Sequence, residues 1–220
     1  MDRQILSKRI TDILGDISRL TNALYALEMT DIQRYPDNYE VLSMDAAIRG
    51  ERIACRLRHL IYSTTSIKKA DFMKDVAQQQ RIRIESKEGI MQITLPSLLP
   101  KRKQQRNTEF LTDPFYFAFS QYADSNQIQK YRECIVCFSH VYSRDLPSRR
   151  IRDYDNIELK QILDVIATFI MLDDNGLLCD AYNTTELGDE DCTRIFIMDK
   201  SLFPKWLAMH QNSIKTISDF

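Results

Sequence analysis

An α+β fold is predicted: a helical N-terminal hairpin, then a small mixed β-sheet domain with packed helices. Three observations predict it. Apolar residues recur at three- and four-residue steps over the first seventy positions, the spacing of an amphipathic helix. At Arg81 the period shortens to two, which places alternate side chains on one face of a strand. Beyond Arg132 the order reads strand, helix, strand, strand, which builds a sheet covered by helices.

Ile5, Ile10, Ile13, Leu14, Ile17, Leu20, Leu24 and Leu27 form one apolar stripe along a first helix. Tyr35-Pro36-Asp37-Asn38 interrupts it, and Met44, Ile48, Ile53, Leu57, Leu60 and Ile61 carry a second helix expected to run back against the first. Phe72, Met73 and Val76 point to a third, short helix. Arg81 to Glu85 alternates, Lys87-Glu88-Gly89 supplies the turn, and Met91, Ile93 and Leu95 face one way while Gln92 and Thr94 face the other. Pro96 and Pro100 end this hairpin, and Asp113-Pro114 reads as the cap and first position of an aromatic-rich helix. Residues 132–143 read as a central strand, 156–172 as a helix, and 177–183 and 193–198 as strands, with a closing helix that holds Trp206. The boundaries drawn are 1–79 for the helical region, 80–200 for the α+β domain and 201–220 for the C-terminal helix.

Of 220 residues, 44% are hydrophobic, 28% charged and only five are glycine, values of a globular chain rich in regular elements. No apolar run is long enough to span a membrane, and the start MDRQILSKRI is charged where a signal peptide is apolar. A cytoplasmic protein is expected. Thirty Lys and Arg against 31 Asp and Glu give a net charge of −1, so nucleic-acid binding does not follow from the sum. The distribution is uneven. Residues 81–112 hold seven basic side chains against three acidic, and 173–191 hold seven acidic and no basic ones.

Cys134 and Cys137 form a C-x-x-C, and a four-thiolate zinc site can be drawn with Cys179 and Cys192. The segment CIVCFSHVY reads as a buried strand, however, in which residues three apart point to opposite faces. Core thiols are the expectation. Neither a glycine-rich phosphate loop nor a nucleophile elbow is present, and His59, His140 and His210 are scattered.

Acidic residues gather at two junctions, Asp153-Tyr154-Asp155-Asn156 before the penultimate helix and Asp173-Asp174 after it. Carboxylates at i and i+2 in extended chain converge, and a helix packed back on the sheet is expected to bring Asp174 to the same edge. Such oxygens suit Mg²⁺ or Mn²⁺, which activates water. The other reading is a helix cap at Asp155 or Asn156 and a turn at Asp173-Asp174-Asn175-Gly176. Spacing leaves both open.

The block SRRIRDYDNIELKQILDVIATFIMLDDNGLLCDAY resembles the signature of RusA-like Holliday-junction resolvases: basic residues, D-x-D-N, a helix with a lysine, then an acidic pair opening a strand. ITLP and TRIFIM resemble the family's first and closing strands, and the resemblance covers residues 80–200. It implies that Asp153, Asp155 and Asp174 ligate Mg²⁺ or Mn²⁺, with Asp173 beside them, and that Lys160 stabilises charge on the phosphate. It also implies a homodimer acting on branched DNA, its backbone held by Lys101, Arg102, Lys103 and Arg106 in one loop and by Arg149, Arg150 and Arg152 in another. Three residues, Ile157-Glu158-Leu159, precede Lys160 here where the family has two, a rotation of about 100° on a helix.

Two functions are therefore expected in turn. The first is a Mg²⁺-dependent, structure-selective DNA endonuclease that cuts phosphodiesters with salt-sensitive affinity. The alternative is a non-catalytic interaction or DNA-binding protein that retains this scaffold and uses its helical hairpin for self- or partner association, through Ile13, Leu20, Leu24 and Leu27.

Overall fold

A computed structural model describes residues 3–100, 102, 109–128, 130–146 and 151–218. The chain divides into two compact units, residues 1–71 and 72–220. In the first, α1 (Arg3–Glu28) and α2 (Pro36–Thr64) pack as a hairpin. Pro36 sits at the start of α2, where its missing N–H costs nothing, and Asp31 Oδ1 accepts hydrogen bonds from the Gln33 and Arg34 N–H groups in the connection.

The second unit follows α3 (Lys69–Gln79) with β1 (Arg83–Lys87), β2 (Ile90–Leu95), α4 (Glu109–Ser125), β3 (Cys134–Ser143), α5 (Lys160–Ile170), β4 (Cys179–Gly188), β5 (Cys192–Met198) and α6 (Phe203–Ser218). Its five strands lie in the order β1-β2-β5-β3-β4, with β3 and β4 parallel and the other pairs antiparallel. This is the mixed, helix-covered sheet of an α+β protein. The β1–β2 turn is Glu88-Gly89, both at positive φ, 52° and 78°, the pair a tight two-residue hairpin needs.

Alternation along the strands sorts two cores. Met91, Ile93, Leu95, Val136, Phe138, Ile195 and Ile197 face α4 and α5, where Phe115, Phe119, Ile162, Ile166 and Ile170 are buried. Phe119 stacks on Phe169 with ring centroids 4.9 Å apart. On the other face Ile135, Cys137 and Met198 pack with Trp206 of α6.

Three elements depart from the sequence reading, one of them β4, which runs on to Gly188 instead of ending at 183. Pro114 lies inside α4 rather than at its start; its ring removes the hydrogen bond to the Phe110 carbonyl, and Gln80 Nε2 donates to that oxygen at 3.5 Å. Residues 157–159 are not helical, because Glu158 N–H donates to Pro100 O and Asn156 O accepts from Arg102 N–H. These two bonds hold the segment extended, so α5 begins at Lys160.

Candidate functional site

The D-x-D-N motif forms a short 3-10 turn, Tyr154–Asn156, just beyond the C-terminal end of β3. Tyr154 Oη lies 3.1 Å from Thr185 Oγ1 on β4, and Arg152 N–H donates to Tyr142 Oη at 3.1 Å. Asp153 and Asp155 are exposed on the outside of this turn, and neither they nor Asn156 caps α5, whose N-cap is Leu159. A helix that joins two parallel neighbours runs against them, so its start and its end lie at opposite ends of the strands. Asp173 and Asp174 therefore sit by the N-terminal end of β4, and Asp174 acts electrostatically on Cys179, its first residue. Thr185 is six residues further along β4, about 20 Å of strand.

The expected convergence of Asp153 and Asp155 with Asp174 is thus not formed. Asp173 instead accepts hydrogen bonds from Asn175 N–H and from Asn175 Nδ2, at 3.3 and 2.6 Å, which is the turn reading. Those bonds hold its carboxyl below the usual range. Lys160 lies on Asp164 at 2.8 Å, and that hydrogen bond raises its ammonium pKa, with weaker pulls from Asp174 and Glu158. Among the described residues no group of three or more His, Cys, Asp or Glu side chains is placed to hold a metal ion. The donors proposed for Mg²⁺ or Mn²⁺ do not fit a shared ion.

The basic loops are only partly placed. Lys101, Lys103, Arg106, Arg149 and Arg150 lie outside the described residues. Arg102 is exposed and uses its backbone N–H on Asn156. Arg152 is half-buried and donates from Nη1 to Leu99 O at 2.7 Å. It pins the turn to the preceding loop, a structural task that the sequence reading did not assign to it.

Burial accounts for the thiols. Cys134 and Cys137 take opposite faces of β3, and burial pushes the Cys137 thiol up to about 12. Cys134 pairs in register with Cys179 across β3 and β4, and their hydrogen bond, with burial, raises the Cys134 pKa. A buried polar group that sequence spacing did not reveal lies on the α6 side. Ser139 Oγ donates to Glu186 Oε1, Arg194 reaches Glu186 Oε2 at 3.5 Å, and His210 Nε2 lies 3.3 Å from Oε1 without hydrogen-bond alignment. Ser139, the buried hydroxyl midway along an apolar strand, is the signal that could have located it.

The helical unit exposes more large apolar side chains than the α+β unit does. Its two helices bury only Ile13, Asp16, Ala23, Ala46 and Ile53. The Leu20 and Leu27 side chains are half-buried, so the repeat that includes Ile13 serves the intramolecular contact rather than a partner. Asp16, 5% exposed, accepts from Arg56 Nη1 at 2.6 Å and lies 3.6 Å from Arg19. Beside that contact Ile10, Leu14, Ile17 and Leu24 stand 41 to 58% exposed on α1, and Leu57 is 43% exposed on α2.

The chain belongs to the family described as Family of unknown function (DUF6100), whose model matches residues 2–220. No curated protein matches it. Among the described residues no helix is long and apolar enough to cross a membrane.

Proposed function

We propose that this is a self-associating interaction protein, in which the α1–α2 hairpin pairs with the hairpin of a second copy and the α+β unit is the scaffold it carries. One observation carries the reading: Ile10, Leu14, Ile17 and Leu24 form a seam at steps of four, three and seven residues, and all four are exposed. Steps of three and four summing to seven are the spacing of helices that pack lengthwise. Two such hairpins make a four-helix bundle, whose core lies between the facing apolar stripes. Two helices about 40 Å long and each about 10 Å wide present a face on the order of 800 Å², the per-partner area of an ordinary stable dimer.

The nuclease reading rests on the sequence block alone, because the carboxylates it needs stand at opposite ends of the parallel strand pair. Sedimentation equilibrium of the full chain tests the association reading. The expected mass is that of a dimer, moving toward the monomer in Leu14→Glu/Ile17→Glu. A monomer at all concentrations, or a dimer indifferent to these substitutions, contradicts it.

A further inference from the structure

The hairpin carries a second feature on the flank away from that seam. A groove of about 400 Å³ runs between α1 and α2, edged by Arg9, Asp12, Arg52, Cys55, Arg56 and His59. Ile13 and Leu60 give it an apolar floor. At about 100° per residue, positions 9 and 12 lie to one side of the Ile13 contact line, and positions 10, 14 and 17 to the other.

The charge of the groove is not balanced from within. Asp16, buried beneath it, is met by both Arg56 and Arg19, and Asp12 is the one acid on its edge. Arg56 spends Nη1 on Asp16 and keeps the rest of its five-donor fork. Arg9 makes only a 3.4 Å contact to Ser63 Oγ, and among the described residues no ion pair engages Arg52 or His59. Three arginines, Arg9, Arg52 and Arg56, thus stand against the one carboxylate of Asp12 around this concave surface. A guanidinium fork matches phosphate oxygens in pairs, and the volume falls in the range of small-ligand sites.

We infer that this groove is a binding site for a phosphate ester of about nucleotide size, its phosphates held by Arg9, Arg52 and Arg56 and its apolar part resting on Ile13 and Leu60. Asp16 acts as the positioning residue that fixes Arg56. The site is independent of the self-association seam, and binding survives when that seam is broken.

Cys55 supplies the readout, because it edges the groove and is exposed while Cys134, Cys137 and Cys179 are buried and Cys192 is half-buried. The experiment measures alkylation of Cys55 by N-ethylmaleimide in the full chain, with ADP, inorganic phosphate or adenosine as probes. ADP is expected to slow the reaction saturably, inorganic phosphate to do so more weakly, and adenosine not at all. Arg52→Glu, and independently Arg9→Gln, should weaken ADP protection by about tenfold or more. Lys8→Ala, outside the groove, and Leu14→Glu/Ile17→Glu should keep it. No protection by ADP, equal protection by adenosine, or protection that survives both arginine substitutions overturns the proposal.

Discussion

The two units of this chain spend their apolar residues differently. In the α+β unit all ten residues of β3 are buried, and the eleven-residue α5 buries Ile162, Ile166 and Ile170 in one line. In the helical unit 26 and 29 residues of helix bury five side chains between them, and one of the five is an aspartate. A sheet with helices on both faces closes its own core; a two-helix hairpin has only one contact line, and whatever apolar surface it carries beyond that line stays in water until something covers it. The difference is the ground for the proposed association through the first seventy residues.

The largest effect is expected in the closed core. Ile166→Ala or Phe119→Ala, both at 0% exposure in the α+β core, should cost about 2 to 5 kcal/mol of unfolding free energy, read by urea titration, with the oligomeric mass of the folded fraction unchanged. Leu14→Glu/Ile17→Glu should act the other way round. Association should weaken by more than about a hundredfold, since a dimer loses four half-exposed side chains whose full burial is worth about 1.5 to 3 kcal/mol each, while the urea midpoint of the α+β unit holds.

A smaller effect is expected inside the hairpin itself. Asp16→Asn removes the charge that the half-exposed Arg56 meets at 2.6 Å and should lower hairpin stability by about 1 to 2 kcal/mol, visible as earlier loss of helix signal. The pH response belongs to the other unit. Burial lowers the pKa of both His140 and His210 below the ordinary 6.5. The unfolded chain then binds more protons than the folded one as pH falls below about 6.5, so stability is full above that value and drops beneath it. The groups facing His140 are Asn183, Tyr154 and Arg152, and those facing His210 are Glu186 and Arg194. The urea midpoint should fall on acidification, and His140→Gln should flatten the fall. Asp153→Asn and Asp174→Asn come last, with changes within about 0.5 kcal/mol, since both side chains are exposed.

The parts of this fold that were legible in the sequence are those governed by short-range periodicity. The Met91, Ile93 and Leu95 face and the opposite facing of Cys134 and Cys137 follow from period two alone, and both are present; the strand expected from Arg81 begins at Arg83, after a turn in which Arg81 has positive φ. The acidic site was misplaced because i, i+2 geometry speaks only about Asp153 and Asp155. Where Asp174 falls depends on β3 and β4 being parallel neighbours, a pairing that local pattern does not report. The hairpin stripe shows the same limit: its residues were visible, but which of them face α2 and which face outward depends on the rotation of α1 against α2. Pro114 reads as a helix start and lies inside a helix because an acceptor freed by its ring found a donor 30 residues upstream.

Amide hydrogen exchange, followed in α1 and in β3 at protein concentrations of about 1 and about 100 µM, tests the central claim most directly, because association protects only what it covers. With association through the hairpin, α1 amides exchange more slowly at the higher concentration while β3 amides do not change. Exchange in α1 that is independent of concentration, and unaltered by Leu14→Glu/Ile17→Glu, would contradict it.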